Sequence, residues 1–152
     1  IYIYLLIKIN HLICDNMDFN VNIISIIVAT IVSMFIGMVW YGPLFGKVWM
    51  KLVGMSKKEI EKAKKSGMAG TFIMAGVSTL LFVYVFSILL KNLAITDLLS
   101  GLLWAILLWL GFVCITLLQP ILWENKSPKL FFLNSFHKLV EIIFITLILV
   151  SF

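Results

Sequence analysis

The sequence predicts an all-α integral membrane protein, a four-helix bundle with a short amphipathic cytoplasmic helical segment. Three observations predict this fold. The chain is 62% hydrophobic and only 12% charged, with a mean hydropathy of +1.13, whereas soluble domains carry about 25% charged residues. Four apolar stretches are each long enough to cross a bilayer. The lysines are concentrated in the segments between these stretches, as in the cytoplasmic loops of multi-pass proteins.

The four predicted spans are residues 21–41, 71–90, 98–120 and 130–150. A hydrocarbon core of about 30 Å takes about 20 helical residues to cross, and a backbone surrounded by lipid must satisfy its polar groups internally, as a helix does. We expect residues 17–152 to form a single transmembrane domain. We interpret residues 1–16, which are too short and too polar to span, as an upstream extension of the reading frame or an interfacial tail.

The distribution of lysines predicts an orientation. Nine of the twelve lysines lie in the loops that follow the first and third spans, and only Lys8 and Lys91 lie on the opposite side. The positive-inside rule therefore places both loops in the cytoplasm and both termini on the opposite side of the cell membrane. Topology thus explains the net charge of +5. We expect anionic lipid headgroups, and not nucleic acid, as partners of the lysine-rich loop.

The first cytoplasmic loop carries signals for two short helical segments. Ser56 and Glu59 have the spacing of a capping box, in which each side chain bonds the backbone N–H group of the other residue. This box predicts a helix over residues 57–65. The preceding segment places apolar residues on one helical face, which is typical of a helix in the membrane interface, although a solvated charged loop is the alternative. These apolar residues are Phe45, Trp49, Leu52 and Val53.

Small residues line one face of the first span. Helices in lipid associate through close packing at such residues, so we expect another helix to lie in this groove, either from the same bundle or from a second copy of the chain. A weaker version, Gly101 and Ala105, lies in the third span. The residues of the first span recur every four positions: Ser25, Ala29, Ser33 and Gly37.

A polar stripe interrupts the fourth span. Its members stand at i, i+3, i+4 and i+7 and therefore share one helical face: Asn134, His137, Lys138 and Glu141. Glu141 lies twelve residues past Lys129, about 18 Å along the axis and so near the centre of the bilayer. A carboxylate at that depth costs several kcal/mol unless it is paired or protonated.

Because of that cost, we expect the stripe to face the bundle interior. Trp109 and Gln119 of the third span lie at matching depths, and we expect the indole N–H group of Trp109 to be placed to donate to Glu141. One interpretation is that His137 and Glu141 relay a proton or bind a cation. The other is that the stripe is polar glue that fixes the register of the helices. Lys138 could also extend its ammonium group back to the cytoplasmic surface.

Residues 37–51 read GMVWYGPLFGKVWMK. Pro43 predicts the end of the first span, because proline lacks a backbone N–H group and disfavours helix in the residue before it. Trp40, Tyr41 and Trp49 are residue types that anchor a protein at headgroup depth. The alternative is a binding role, in which the glycines admit close approach of a partner.

The same stretch resembles the signature of a bacterial membrane family, domain of unknown function 1761 (DUF1761). The signature GxxWYGPLFGKxW is matched by Gly37, Trp40, Tyr41, Gly42, Pro43, Leu44, Phe45, Gly46, Lys47 and Trp49. Later matching features are Gly111-Phe112, residues 123–127 (WENKS), Leu130-Phe131, Asn134 and residues 137–140 (HKLV). The resemblance runs from about residue 21 to the end of the chain. It implies a small four-helix membrane protein and carries no activity with it.

The sequence also narrows the function classes. It contains no phosphate loop, zinc-protease motif or serine-hydrolase motif. His137 and Glu141 alone are too few ligands for a metal site, so we expect neither a metal nor a cofactor. Our first hypothesis is a small transporter, or an ion or proton pathway, that uses the stripe in a homo-oligomer. The alternatives are a structural or partner-binding subunit and, third, a membrane-embedded enzyme that modifies lipid.

Overall fold

The computed structural model describes residues 17–56, 58–59, 61, 67 and 69–152. Within these residues it defines six α-helices and two π-helical turns, and no strand. The predicted all-α fold is confirmed. The α-helices are α1 (Ile23–Val39), α2 (Gly46–Val53), α3 (Ala69–Asn92), α4 (Leu98–Leu108), α5 (Ile115–Glu124) and α6 (Pro128–Ser151), and the π-helical turns are Trp40–Leu44 and Trp109–Cys114.

Four continuous helical stretches are long and apolar enough to cross a membrane, and each overlaps one predicted span. The first joins α1 to the π-helical turn that follows it, and the third joins α4 to α5 through the second π-helical turn. The chain is therefore a multi-pass membrane protein. The stretches are Ile23–Leu44, Ala69–Asn92, Leu98–Glu124 and Pro128–Ser151.

Polar side chains cap three of these helices at their first residues. Asn22 precedes α1, Asp97 precedes α4 and Ser127 precedes α6, and each side chain accepts a hydrogen bond from a backbone N–H group two or three residues further on. These bonds satisfy donors that the first turn of an α-helix leaves free. Pro128 follows Ser127 at the first helical position, where no N–H group is needed.

Helices α1 and α6 form the central pair of the bundle, with α3 packed on α1 and α4 packed on α6. Small residues permit this packing. Ser25, Ala29 and Ser33 of α1 are buried, and a Cβ atom on Gly101 of α4 would lie 3.0 Å from a methyl group of Thr146 on α6. The predicted groove on the first span is therefore occupied by helices of the same chain.

The bundle has two ends that differ in packing. We call the end that holds residues 17–22, residues 93–97 and the C-terminus the termini end, and the end that holds α2 and residues 125–127 the loop end. Burial on α3 begins only at Val83, and burial on α4 is confined to Gly101 and Ala105. None of the residues of α5 is buried. The described helices therefore bury more residues toward the termini end than toward the loop end, although a cavity of about 330 Å³ lies between α1, α3 and α6 at the termini end.

Polar contacts fasten the chain segment before α1 to the end of α3. The Lys91 ammonium group lies 2.7 Å from the Asp18 carboxylate, and the Asn92 side chain exchanges two hydrogen bonds of 2.9 Å with the backbone of Asp18. The hydrogen bond from Lys91 holds the pKa of the exposed Asp18 carboxyl group below its usual value. These contacts stabilise the termini end, beside the cavity that Lys91 lines.

The first span ends at Leu44, one residue past Pro43, in agreement with the expectation that Pro43 ends it. Its last five residues form a π-helical turn, in which the N–H group of Phe45 donates to the carbonyl group of Trp40 at 2.9 Å. Proline clashes with the carbonyl group four residues before it and cannot donate a hydrogen bond. A π-helical turn, with hydrogen bonds to the fifth residue back, accommodates Pro43 within the last turn of the span.

The described part of the first loop agrees with its predicted capping box. The N–H group of Ser56 donates to the Glu59 carboxylate at 2.7 Å, and the N–H group of Glu59 donates to the Ser56 hydroxyl at 3.3 Å. The hydrogen bonds from Ser56 lower the pKa of the Glu59 carboxyl group. The amphipathic segment forms helix α2. Most of the helix predicted over residues 57–65, and all of residues 1–16, lie outside the described residues.

Candidate functional site

A carboxylate occupies the interior of the bundle between α1 and α6. Glu141 lies near the middle of α6 and is 3% exposed. The Ser33 hydroxyl of α1 donates to its Oε1 atom, and the Lys138 ammonium group donates to its Oε2 atom at 2.6 Å. Hydrogen bonding to both oxygens offsets the cost of removing the carboxylate from water. The expectation that Glu141 faces the interior agrees with this geometry.

Lys138 extends toward the centre of the membrane. Its Nζ atom reaches Glu141, three residues further along α6 and further from the loop end. The expected alternative, extension back to the loop-end surface, is therefore wrong. The physical reason is the buried carboxylate, which offers a charge-assisted hydrogen bond where the surface would offer only water. The Lys138 side chain is nevertheless 49% exposed, whereas that of Glu141 is 5% exposed.

His137 is buried beside this ion pair without a hydrogen bond. Its Nδ1 atom lies 4.0 Å from Glu141 Oε2, which is beyond hydrogen-bonding distance. Neither ring nitrogen has a hydrogen-bond partner among the described residues. A Cβ atom on Gly37 would lie 3.7 Å from Nε2, an ordinary van der Waals distance, so Gly37 of α1 lies against the ring.

Two aromatic residues of the first π-helical turn also point into the bundle. The Tyr41 hydroxyl donates to Asn134 Oδ1 at 3.0 Å, and the Tyr41 and His137 ring centroids lie 4.7 Å apart. The Trp40 ring centroid lies 5.7 Å from that of His137. The Trp40 indole nitrogen is buried and has no hydrogen-bond partner among the described residues. Tyr41 and Trp40 therefore surround His137, which corrects their expected role as headgroup anchors.

The third span does not contribute the expected contacts. The indole N–H group of Trp109 donates to the Ser135 carbonyl oxygen at 2.9 Å, and not to Glu141. Gln119 is exposed and accepts a hydrogen bond of 2.8 Å from the Trp123 indole. The polar stripe of α6 therefore contacts residues of the first span. The reason is that α1 and α6 form the central pair, whereas α4 packs on another side of α6.

A protein-family model matches residues 24–150, and its family is described as a protein of unknown function (DUF1761). The match covers most of the chain. This chain belongs to the DUF1761 family. No curated protein and no solved structure matches it.

The stretch that carries the resemblance to DUF1761 shapes the wall of the site. A Cβ atom on Gly46 would overlap the carbonyl oxygen of Tyr41, so only glycine fits at the start of α2. Trp49 of α2 packs its ring edge against Tyr41, with ring centroids 5.6 Å apart. Gly42 and Pro43 are exposed members of the same turn. The turn and α2 together hold Tyr41 against His137 and Asn134.

The described residues do not assemble a metal site of the usual size. No group of three or more histidine, cysteine or carboxylate side chains lies close enough together, within that part of the chain, to hold a metal ion. Cys114, in the second π-helical turn, has a free thiol group that accepts a hydrogen bond from Ser135 at 3.4 Å.

Ser33 is a site residue that the sequence does not reveal, since its spacing indicates only helix packing. Its contact with Glu141 depends on which helix packs against α1. Ser33 lies eight residues before Tyr41, and Glu141 lies seven residues after Asn134. Once Tyr41 and Asn134 are known to be bonded in an antiparallel pair, these counts place Ser33 and Glu141 at the same depth.

Proposed function

We propose that this DUF1761 protein is a small transporter or proton pathway whose central ion-binding group is Glu141. One observation carries the proposal: a carboxylate 5% exposed at mid-membrane, bonded to Ser33 and Lys138. Ionisable residues at such depth are costly and mark ion pathways and proton relays. His137 lies next to this pair, and both of its buried ring nitrogens are without a hydrogen-bond partner among the described residues, so the ring is a candidate proton carrier beside Glu141.

The packing supports a route from the loop end. Asn134, Tyr41 and His137 lie between that end and Glu141, and they supply polar groups along about two turns of α6. On the other side of Glu141, a cavity of about 330 Å³ lies at the termini end, and it is separated from Glu141 by apolar side chains that would stop an ion. These include Ile26, Ala29, Phe86, Ile142 and Ile145. We propose N-out, C-out orientation, in which the route opens to the cytoplasm.

Helix α2 is proposed to rest on the membrane surface beside this route. Lys47 and Lys51 are exposed, whereas Trp49 and Leu52 are half-buried against the bundle. Such a helix fits the interface, where lysines attract anionic headgroups.

A second candidate function is a structural or partner-binding membrane subunit. The observation that favours it is the bond between Ser33 and Glu141, which links the two central helices. Interhelical hydrogen bonds of this kind contribute about 0.6–2 kcal/mol to helix association in lipid. In that case Glu141 would serve stability alone, and its removal would lower the free energy of unfolding of the bundle.

Proton flux into proteoliposomes tests the proposed function. The purified protein is reconstituted with an internal pH-sensitive dye, and flux is driven by a pH gradient with a valinomycin-clamped potassium potential. We expect Glu141→Gln to reduce the flux at least tenfold, because the amide cannot take up and release the proton.

The matched control is Glu124→Gln, which changes an exposed glutamate at the end of α5 and should retain wild-type flux. Both variants should unfold within a few degrees of the wild type. Equal flux in Glu141→Gln and the wild type would contradict the proposal, as would the absence of protein-dependent flux.

A further inference from the structure

The ion pair at the centre of the site is exposed on one partner only. The Lys138 side chain is 49% exposed and that of Glu141 is 5% exposed, although both project from the bundle-facing stripe of α6. At about 100° per residue, Lys138 lies about 60° from Glu141, between it and Ile142. Ile142 and Ile145 on the same stripe are 3% and 1% exposed. Lys138 is therefore exposed because the bundle opens at its level, and not because it points away from the other helices.

The neighbouring helices account for this opening. Lys138 lies toward the loop end from Glu141, at the depth where α3 has no buried residue before Val83 and α5 has none. Helix α3 packs closely on α1, and α4 and α5 pack on α6. The ammonium group in this opening already pairs with Glu141 at 2.6 Å, and the exposed half of the Lys138 side chain leaves room for a second ligand.

We propose that this opening binds a monovalent anion against Lys138, and that binding transfers one proton from water to Glu141. The inference rests on the proposed function and deepens it, since it names the ion that moves with the proton. Without the anion, Lys138 and Glu141 form a neutral pair. When the anion replaces the carboxylate on the ammonium group, the carboxylate takes up a proton, so one anion and one proton enter together. The site stays neutral, and no bond other than O–H forms.

The direction of access favours an anion over a cation. A ligand that enters the opening meets the ammonium group first, whereas the carboxylate is enclosed between Ser33 and Lys138. The exposed lysines at the loop end, among them Lys47, Lys51, Lys126 and Lys129, attract anions toward it. The groups that face Glu141 are Ser33 on α1, Tyr41 on the π-helical turn, and His137 and Lys138 on α6. Of these, Lys138 alone carries an ammonium group, and that group is the one an anion would pair with.

Proton uptake on anion addition tests the proposal without any flux. The purified protein in detergent, weakly buffered near neutral pH, is titrated with sodium formate while the pH is recorded. We expect uptake that approaches one proton per chain at saturation. It should be lost in Lys138→Gln and in Glu141→Gln, and retained in Lys138→Arg, Lys129→Gln and Glu124→Gln, all of which should be folded by thermal unfolding.

A second titration, with phosphatidylglycerol in mixed micelles, distinguishes the source of the anion. Proton uptake with formate would identify the anion at Lys138 as a soluble one, and uptake with the lipid alone would identify it as an acidic headgroup. Either result supports the proposal. The absence of uptake with either probe, or uptake that persists in Lys138→Gln, overturns it. Proton uptake in detergent requires no transport, so the two proposals can fail separately. Uptake without proton flux in proteoliposomes would support the anion site and reject the proposed function. Flux without uptake would support the proposed function and reject the anion site.

Discussion

At the scale of single residues, the site depends on how a buried carboxylate is compensated. Taking an ion pair out of water costs free energy that the attraction between its members does not always restore. Here Glu141 is compensated by Ser33 and Lys138, and Lys138 keeps half of its surface exposed. Such a pair contributes little to stability when an apolar pair of similar volume could fill the same space. Under the proposed function, ion binding is the reason that the pair is present.

Replacing the pair by apolar residues separates these two explanations. In the double variant Lys138→Met with Glu141→Leu, we expect the free energy of unfolding to remain within about 1 kcal/mol of the wild-type value or to rise. The single variant Glu141→Leu should be less stable than the double variant, because it leaves the ammonium group without its carboxylate. Thermal unfolding in one detergent measures both. A double variant destabilised by more than about 2 kcal/mol would assign Glu141 to structural glue.

At the scale of elements, the sequence predicts the spans well and their local irregularities poorly. Mean hydropathy and the absence of charge are properties of each stretch alone, so all four spans are recognised. A π-helical turn depends on which carbonyl group is available to Phe45 once Pro43 has removed a donor, and no residue type marks it. The inward direction of Trp40 and Tyr41 depends on that turn. The residue types alone therefore predict that Trp40 and Tyr41 lie at the membrane surface.

Close contact between α4 and α6 gives a prediction at this scale. A Cβ atom on Gly101 would lie 3.0 Å from a methyl group of Thr146 and 3.1 Å from one of Val150. Since both neighbours have branched side chains with little freedom to move, we expect Gly101→Ala to lower the free energy of unfolding by about 1–3 kcal/mol.

Gly111→Ala is the matched control for Gly101→Ala, because a Cβ atom there has no neighbour within 4 Å among the described residues. It should be neutral or slightly stabilising, since alanine favours helix by about 1 kcal/mol over glycine. Chemical or thermal unfolding of both variants gives the comparison. Equal stability of the two would contradict the close packing of α4 on α6.

At the scale of the whole molecule, the sequence predicts a bundle but not its arrangement. The small residues of the first span predict that a helix lies against them, yet nothing in their spacing selects α6 over α4 or a second copy. The pairing of α1 with α6 determines which residues form the site. It brings Glu141 to Ser33 of the first span, whereas Trp109 of the third span bonds the Ser135 carbonyl oxygen and not Glu141. The unequal closure of the two ends is likewise a property of the assembled helices. It divides α6 into an accessible half around Lys138 and an enclosed half beyond Glu141.

This division predicts which positions on α6 react with a charged, membrane-impermeant thiol reagent. In a chain with Cys14→Ser and Cys114→Ser, we expect Lys138→Cys to be modified and Ile145→Cys to resist, although the two positions lie within about 20° of each other around the helix. The N-out, C-out orientation further predicts that modification occurs in inside-out vesicles and not in right-side-out vesicles. If Lys138→Cys reacts only in right-side-out vesicles, the opening exists but the orientation of the protein is the reverse of the proposed one. If Lys138→Cys resists from both sides while Lys129→Cys reacts, the residue faces lipid, and the route from the loop end to Glu141 does not exist.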